Sequence, residues 1–223
     1  AETSSIRSHV KGESASPMTV IYHDADANLG LLMDRTIAVL GYGKMGRSLA
    51  LNLRDSAFPV IIGNRDDEYA AQAYNDGFEV LRLDEAAQRA DMLFYMVPDE
   101  LAPQIYLTQI APGLRRGDTL VFASGYNIAF GLIEPPPFVD VLLVAPQSTA
   151  EGVREGYVAG TGFPSFVAVA QDASGQAWPR VLAAAKALGA LHQGAIELTF
   201  QQEAELDLFS QQAVLPALHS VLQ

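Results

Sequence analysis

From residue 36 onward, short apolar runs alternate with stretches whose apolar positions recur every three or four residues. "TIAVLG" (36–41), "PVIIGNR" (59–65), "FEVL" (78–81) and "DMLFYMV" (91–97) read as strands, as do "TLVFAS" (119–124), "VDVLLVA" (139–145) and "SFVAVAQ" (165–171). Helices are predicted over 44–54, with Met45, Leu49 and Leu53 on one face, and over 68–75, 84–89 and 101–110. Strands that are apolar throughout and separated by helices indicate a parallel sheet covered on both faces. The expected fold is α/β: a Rossmann-like, doubly wound, mostly parallel sheet with a C-terminal helical extension.

Residues 199–215, "TFQQEAELDLFSQQAVL", form one long helical pattern with no strand after it, and Pro216 should end or kink it. Leu206, Phe209, Ala213 and Leu218 supply an apolar side that needs a cover, and a second copy of the chain is the simplest one. The expected organisation is a polar arm over 1–17, a dinucleotide-binding domain over 18–198 and a dimerising helix over 199–223.

Composition narrows the classes of function. Apolar residues make up 49% of the 223 and charged residues 18%, as in a folded domain. The formal charge of −12 repels nucleic acid, and no basic cluster offsets it. With no cysteine there is neither a disulfide nor thiolate catalysis. "AETSSIRSHVKGESASP" lacks the apolar core of a signal peptide, Met18 is a plausible natural start, and no apolar run reaches the ~20 residues of a membrane span. A cytoplasmic location is therefore expected.

Gly41, Gly43 and Gly46 give GxGxxG between a strand and a helix. The first permits a tight turn, the second a close approach to a pyrophosphate and the third helix–strand packing, while the helix N-terminus favours phosphate. Alternatively, the glycines only pack a turn. Tyr42, Lys44 and Met45 share this stretch, and Lys44 is expected to be a phosphate neighbour. The second strand ends in "GNRDDEY", so Asn64, Arg65 and Asp66 should lie at the adenosine ribose. Asp66 and Asp67 favour ribose hydroxyls over a 2′-phosphate, Arg65 pulls the other way, and the balance leans to NADH over NADPH.

With these residues in hand, "DADANLGLLMDRTIAVLGYGKMGRSLALNLRDS" resembles the start of the ketol-acid reductoisomerases, Mg-dependent NAD(P)H enzymes of branched-chain amino-acid synthesis. "DGFEV", "VPDELAPQIY", "SGYNIAFG", "VDVLLVAPQ", "AVAQDASG" and "ELTFQQEAELDLFSQQAVL" continue the resemblance, in order, to about Leu215. The departures fall on the chemistry. The family's A-H-G-F-N-I-H-F-G is "ASGYNIAFG" here, with Ser124 in the histidine's place, and its A-P-K-G is "APQS", with Gln147 replacing lysine. Its D-L-F-G-E-Q, which carries two metal-binding carboxylates, is "DLFSQQ", keeping Asp207 but placing Gln211 where the glutamate stands. The family's helical C-terminal domain should continue where this chain ends, and the resemblance implies that its ligands are missing.

Asp207, alone or with Glu203 one turn earlier, is a poor seat for Mg²⁺, which wants octahedral oxygen ligation. Isomerisation and a bound metal are therefore not expected, whereas hydride transfer needs only a cofactor, an aligned electrophile and a proton source. Ligands in such sheets sit beyond the carboxyl ends of the strands, which places Val97, Pro98, Asp99, Ser124, Gly125, Tyr126 and Gln147 near the nicotinamide, with Asp207 and Gln211 closing the site. Ser124, Tyr126 or Asp207 would relay a proton or hold substrate, and Gln147 would orient a carbonyl or iminium. Each has a bland alternative: Ser124 as a space filler, Tyr126 as packing, Gln147 and Gln211 as relics, Asp207 as a solvated helix residue. His23, His192 and His219 lack partners at metal-ligand spacing. The expected function is a metal-independent NAD(P)H reductase of a small C=N or C=O substrate. The alternatives are a non-catalytic NAD(P)-binding partner subunit and a reductoisomerase completed by another chain.

Overall fold

The structure, a computed structural model, describes residues 19–214 and 217. The arm over 1–17, Met18, Pro216, Leu218 and His219 lie outside the described residues. Nine strands form one sheet: β1 (Ile21–Tyr22), β2 (Ile37–Leu40), β3 (Val60–Gly63), β4 (Glu79–Leu81), β5 (Met92–Tyr95), β6 (Thr119–Phe122), β7 (Asp140–Pro146), β8 (Ser165–Gln171) and β9 (Ala195–Glu197). The helices are α1 (Lys44–Asp55), α2 (Glu68–Asn75), α3 (Leu83–Arg89), α4 (Ala102–Ile105), α5 (Tyr126–Ala129), α6 (Ala150–Val158), α7 (Ala177–Leu188) and α8 (Phe200–Phe209).

The spatial order is β1-β9-β8-β7-β6-β5-β2-β3-β4, and the six strands from β4 to β7 are parallel. The order reverses between β2 and β5, leaving a crevice beyond their carboxyl ends. The sheet is mostly parallel, as expected, and departs from it where β8 runs antiparallel to β7 and β1 to β9. The apolar run of β8 carries no sign of direction, and the short α6 between the two strands reverses the chain without a full crossover.

Successive side chains of β2 enter opposite layers. Ile37 and Val39 pack with Leu49, Leu53 and the buried alanines of α7, while Ala38 and Leu40 pack with Leu83, Ala86 and Phe200. Both faces are thus covered. Ser48 Oγ donates to Ala150 O (2.7 Å) and Asn52 Nδ2 to Leu188 O (3.1 Å), tying α1 to α6 and α7.

The C-terminal helix begins at the expected place. Thr199 caps it, accepting from Gln202 N–H (3.1 Å), while Gln202 Oε1 accepts from Thr199 N–H (2.9 Å). Its geometry then changes from α to π over Ser210–Val214, so the regular helix expected over 199–215 widens at that turn. Phe200, Glu203 and Ala204 form its buried side, whereas Leu206 and Phe209 are 46% and 62% exposed.

Candidate functional site

The glycine turn lies between β2 and α1, at the crevice. Gly41 has φ +99°, and a Cβ there would stand 2.7 Å from the Met96 carbonyl oxygen. A Cβ on Gly46 would collide with the Gly41 carbonyl oxygen. The fold itself demands these two glycines. Gly43 is different, because a Cβ there meets nothing within 4 Å. That open space lies at the N-terminus of the twelve-residue α1, whose first N–H groups lack intrahelical partners. The turn therefore fits a pyrophosphate. Lys44 stands exposed at this turn, 3.6 Å from Glu151, and Met45 leans partly into the core.

Beyond β3, Asn64 organises the turn into α2. Tyr42 N–H donates to Asn64 Oδ1 (3.0 Å), and Asn64 Nδ2 donates to Asp67 Oδ1 (2.9 Å). Asp67 caps α2, accepting from Tyr69 N–H (3.0 Å) and Ala70 N–H (3.2 Å), and it pairs with Arg65 at 2.6 Å. Against the upward push of burial, the Arg65 and backbone hydrogen bonds hold the Asp67 carboxyl below its ordinary value. Arg65, Asp67, Tyr69 and Leu101 line a hollow of about 220 Å³ here. Asp66 is exposed and outside that wall. The Tyr42 ring turns into the core, its hydroxyl donating to Asp76 (2.8 Å), so this residue presents its backbone to the turn.

Past the glycines the cleft continues with about 370 Å³, between Gly43–Gly46 and the wall of Val97, Pro98, Asp99, Ser124 and Asn127. Ser124 Oγ donates to Asp99 Oδ2 (3.2 Å), and Asn127 Nδ2 donates to Asp99 Oδ1 (2.8 Å). Burial raises the Asp99 carboxyl above its ordinary value. The Ser124 and Asn127 bonds oppose that rise, and the charges of Asp207 and Glu100 add to it. Behind the wall, Glu203 is 4% exposed and accepts from Gly125 N–H at 2.6 Å. Burial pushes its pKa up to about 7, the Gly125 bond opposing and the Asp207 and Asp99 charges adding. Gly125 is packed under α8, where a Cβ would collide with the Phe200 carbonyl oxygen.

The structure thus brings Val97, Pro98, Asp99 and Ser124 together, with Gly125 just behind them. Tyr126 packs its ring on Phe130, centroids 5.0 Å apart, and is not in the wall. Gln147 is exposed, its Nε2 donating to Ala145 O (3.3 Å), and only its neighbour Pro146 reaches the cleft. Asp207 is exposed on α8, close enough for its charge to act on Asp99 and Glu203. Gln211 begins its peptide within the π turn, and its side chain lies outside the described residues. His192 pairs with Asp24 at 2.6 Å and is absent from the lining of this cleft, as is His23. The sequence reading did not single out Asn127, which stands inside the quoted "SGYNIAFG", and it weighed Glu203 only as a partner of Asp207 for Mg²⁺.

Among known families, the model of the acetohydroxy acid isomeroreductase NADPH-binding domain matches residues 31–194. Ketol-acid reductoisomerases (NADP(+)) of Pyrobaculum calidifontis and Methanopyrus kandleri are each 48% identical over 199 residues, covering 89% of this chain and 61% of their own length. An NADH-preferring ketol-acid reductoisomerase from an uncultured archean superposes with TM-score 0.86 at 42% identity, covering 87% of this chain and 61% of that one. An imine reductase from Myxococcus stipitatus shares the fold at TM-score 0.62 and 18% identity, over 86% of this chain and 64% of its own. The chain spans about 61% of the length of the curated relatives it matches. With the glycine turn, the switch point and the family model in agreement, this chain belongs to the acetohydroxy acid isomeroreductase family, over the NADPH-binding domain.

Proposed function

We propose that this chain is an NAD(P)H-dependent reductase of a C=N or C=O group that works without a metal ion. The observation that carries the reading is the Asp99–Ser124 hydrogen bond at the far end of a cleft whose near end is a pyrophosphate cradle. The dinucleotide supplies a hydride when bound. Gly43 and the α1 N-terminus hold its phosphates, Asn64 and Asp67 face its ribose, and Ser124 Oγ, oriented by Asp99, holds or passes a proton at the substrate heteroatom.

The family's magnesium does not fit the residues present. Among the described residues no three His, Asp or Glu side chains gather at ligating positions, and one Glu203 oxygen is already taken by Gly125 N–H. The position one turn beyond Asp207 is the neutral Gln211. A dication wants carboxylate oxygens around it, and the described residues supply too few.

The ribose end supports NADH over NADPH. Arg65 is already paired with Asp67, so a 2′-phosphate would meet a carboxylate and no uncommitted cation from that pair. We also propose a homodimer in which a second copy covers Leu206 and Phe209. A sedimentation mass of one chain at high protein concentration would refute it.

The test is oxidation of NADH and NADPH by the purified chain with a panel of cyclic imines and 2-oxo acids, with and without a chelator. Chelator-insensitive oxidation is expected, and no oxidation with any member would refute the reading. A second reading, a reductoisomerase completed by residues outside this chain, draws on the 48% identity and 61% coverage of the relatives. Magnesium-dependent conversion of an acetohydroxy acid would establish it instead.

A further inference from the structure

Resting on the reductase reading, we infer that the far end of the cleft takes a protonated C=N group, an iminium cation with Asp99 as its counter-ion, and turns away ketones that carry a carboxylate. Two independent features of the wall support this. The first is charge. Asp99 lines the cleft, and the carboxylates of Glu203 and Asp207 act on it and on each other. Lys44 is the only cation among the described lining residues, and it stands at the glycine turn within 3.6 Å of Glu151. A substrate carboxylate would therefore enter a negative field with no cation to receive it, whereas a cation would lower the mutual repulsion of the three acids.

The second feature is an acceptor that lacks a donor. Asn127 lines the same cleft and is 2% exposed. Its Nδ2 donates to both Asp99 Oδ1 (2.8 Å) and Asp99 O (3.3 Å), two acceptors that fix the orientation of the amide. Its Oδ1 is then left buried with no hydrogen-bond partner. Buried acceptors without donors are uncommon and costly, and this one favours a ligand that carries a donor hydrogen, as an iminium N–H does and a carboxylate does not.

The chemistry balances with no further reagent. Hydride adds to the iminium carbon, the C=N π pair moves onto nitrogen, and a neutral amine forms. The unit of positive charge leaves with the oxidised cofactor. Because the nitrogen arrives protonated, no proton donor is consumed.

The test separates binding from turnover. Calorimetry on the full chain saturated with NAD+ would compare piperidinium, a cation that cannot be reduced, with butanoate. Piperidinium is expected to bind at least about tenfold more tightly, and Asp99→Asn to remove about tenfold of that affinity. Should Asp99→Asn fail to fold, judged by loss of the cofactor-induced rise in Tm, Asp207→Asn on the exposed face of α8 decides, with a smaller loss expected. Equal binding of the two probes, or no loss in the folded variant, overturns the inference. If NADH reduces 2-oxobutanoate but not 1-pyrroline, the reductase reading stands and this inference falls. If piperidinium binds as stated and nothing is reduced, the reverse holds.

Discussion

At the glycine turn, Gly41 and Gly46 are closed in by backbone atoms, and Asn64 and Asp67 direct their polar atoms at the turn and at α2. At the far end of the same cleft, Asp99 and Glu203 are acids raised above their ordinary values, and Asn127 holds a buried acceptor without a donor. The first region is fixed by its own backbone and side chains, and its open polar groups are the first N–H groups of α1. The second is left partly unsatisfied, the common condition of a site that waits for one. Of the three positions expected to depart from the family's pattern, Ser124 lines the second region and Gln147 lies next to its Pro146.

The sharpest way to break this contrast is inside the turn. Gly46→Ala is expected to cost about 3 kcal/mol or more, because the new methyl meets the Gly41 carbonyl oxygen and the backbone must move. Gly43→Ala should leave the urea midpoint unchanged while weakening NADH binding by about tenfold. Equal loss of stability in both variants would mean that Gly43 serves the fold and not a ligand.

Next in size is the titration of Glu203, whose folded pKa of about 7 lies above its ordinary 4.5. Between those values the folded chain binds more protons than the unfolded chain. Its stabilising contribution is thus complete below 4.5 and is lost as the pH rises through 7. At about 1.4 kcal/mol per pKa unit, the loss is on the order of 3 kcal/mol. Glu203→Gln should flatten that slope in urea unfolding followed across the same window. A variant with the wild-type slope would place the titration elsewhere.

Asp67→Ala should cost about 1 kcal/mol through the lost cap of α2. It also releases Arg65, so the ratio of NADPH to NADH affinity is expected to rise. An unchanged ratio would separate the cap from cofactor choice. Smallest of all, Glu151→Gln removes the exposed partner of Lys44 and should leave the melting midpoint where it was.

Much of the sheet was legible because a strand buried on both faces must be apolar throughout, as "IAVL" and "MLFY" are. The helix α1 was legible from the spacing of Leu49 and Leu53, both fully buried. The reading missed α7, whose "AWPRVLAAAKAL" is packed on most sides and so shows little polar alternation. It also missed β1 and β9, two and three residues long, which pair with each other at the sheet's edge and carry too few positions for a period.

The site divides in the same way. Backbone requirements are written in residue type, so Gly41, Gly43 and Gly46 announced the cradle. Side-chain direction is not. Tyr42 turns into the core, Tyr126 lies on Phe130 and Gln147 points away from the cleft, although all three stand beside residues that form it. The meeting of Glu203 with Gly125 joins positions 78 residues apart, and that of Asn127 with Asp99 joins positions 28 apart.

By itself, then, the sequence determined the layered α/β fold, the glycine turn between β2 and α1 and the family to which the chain belongs. Those properties follow from residue type and local spacing. Only the tertiary structure decided the direction of β8, the pairing of Asp99 with Ser124 and Asn127, and the burial that lifts Glu203 toward neutrality. Contacts and desolvation depend on what the folded chain brings near from far along it, and no local pattern encodes that distance.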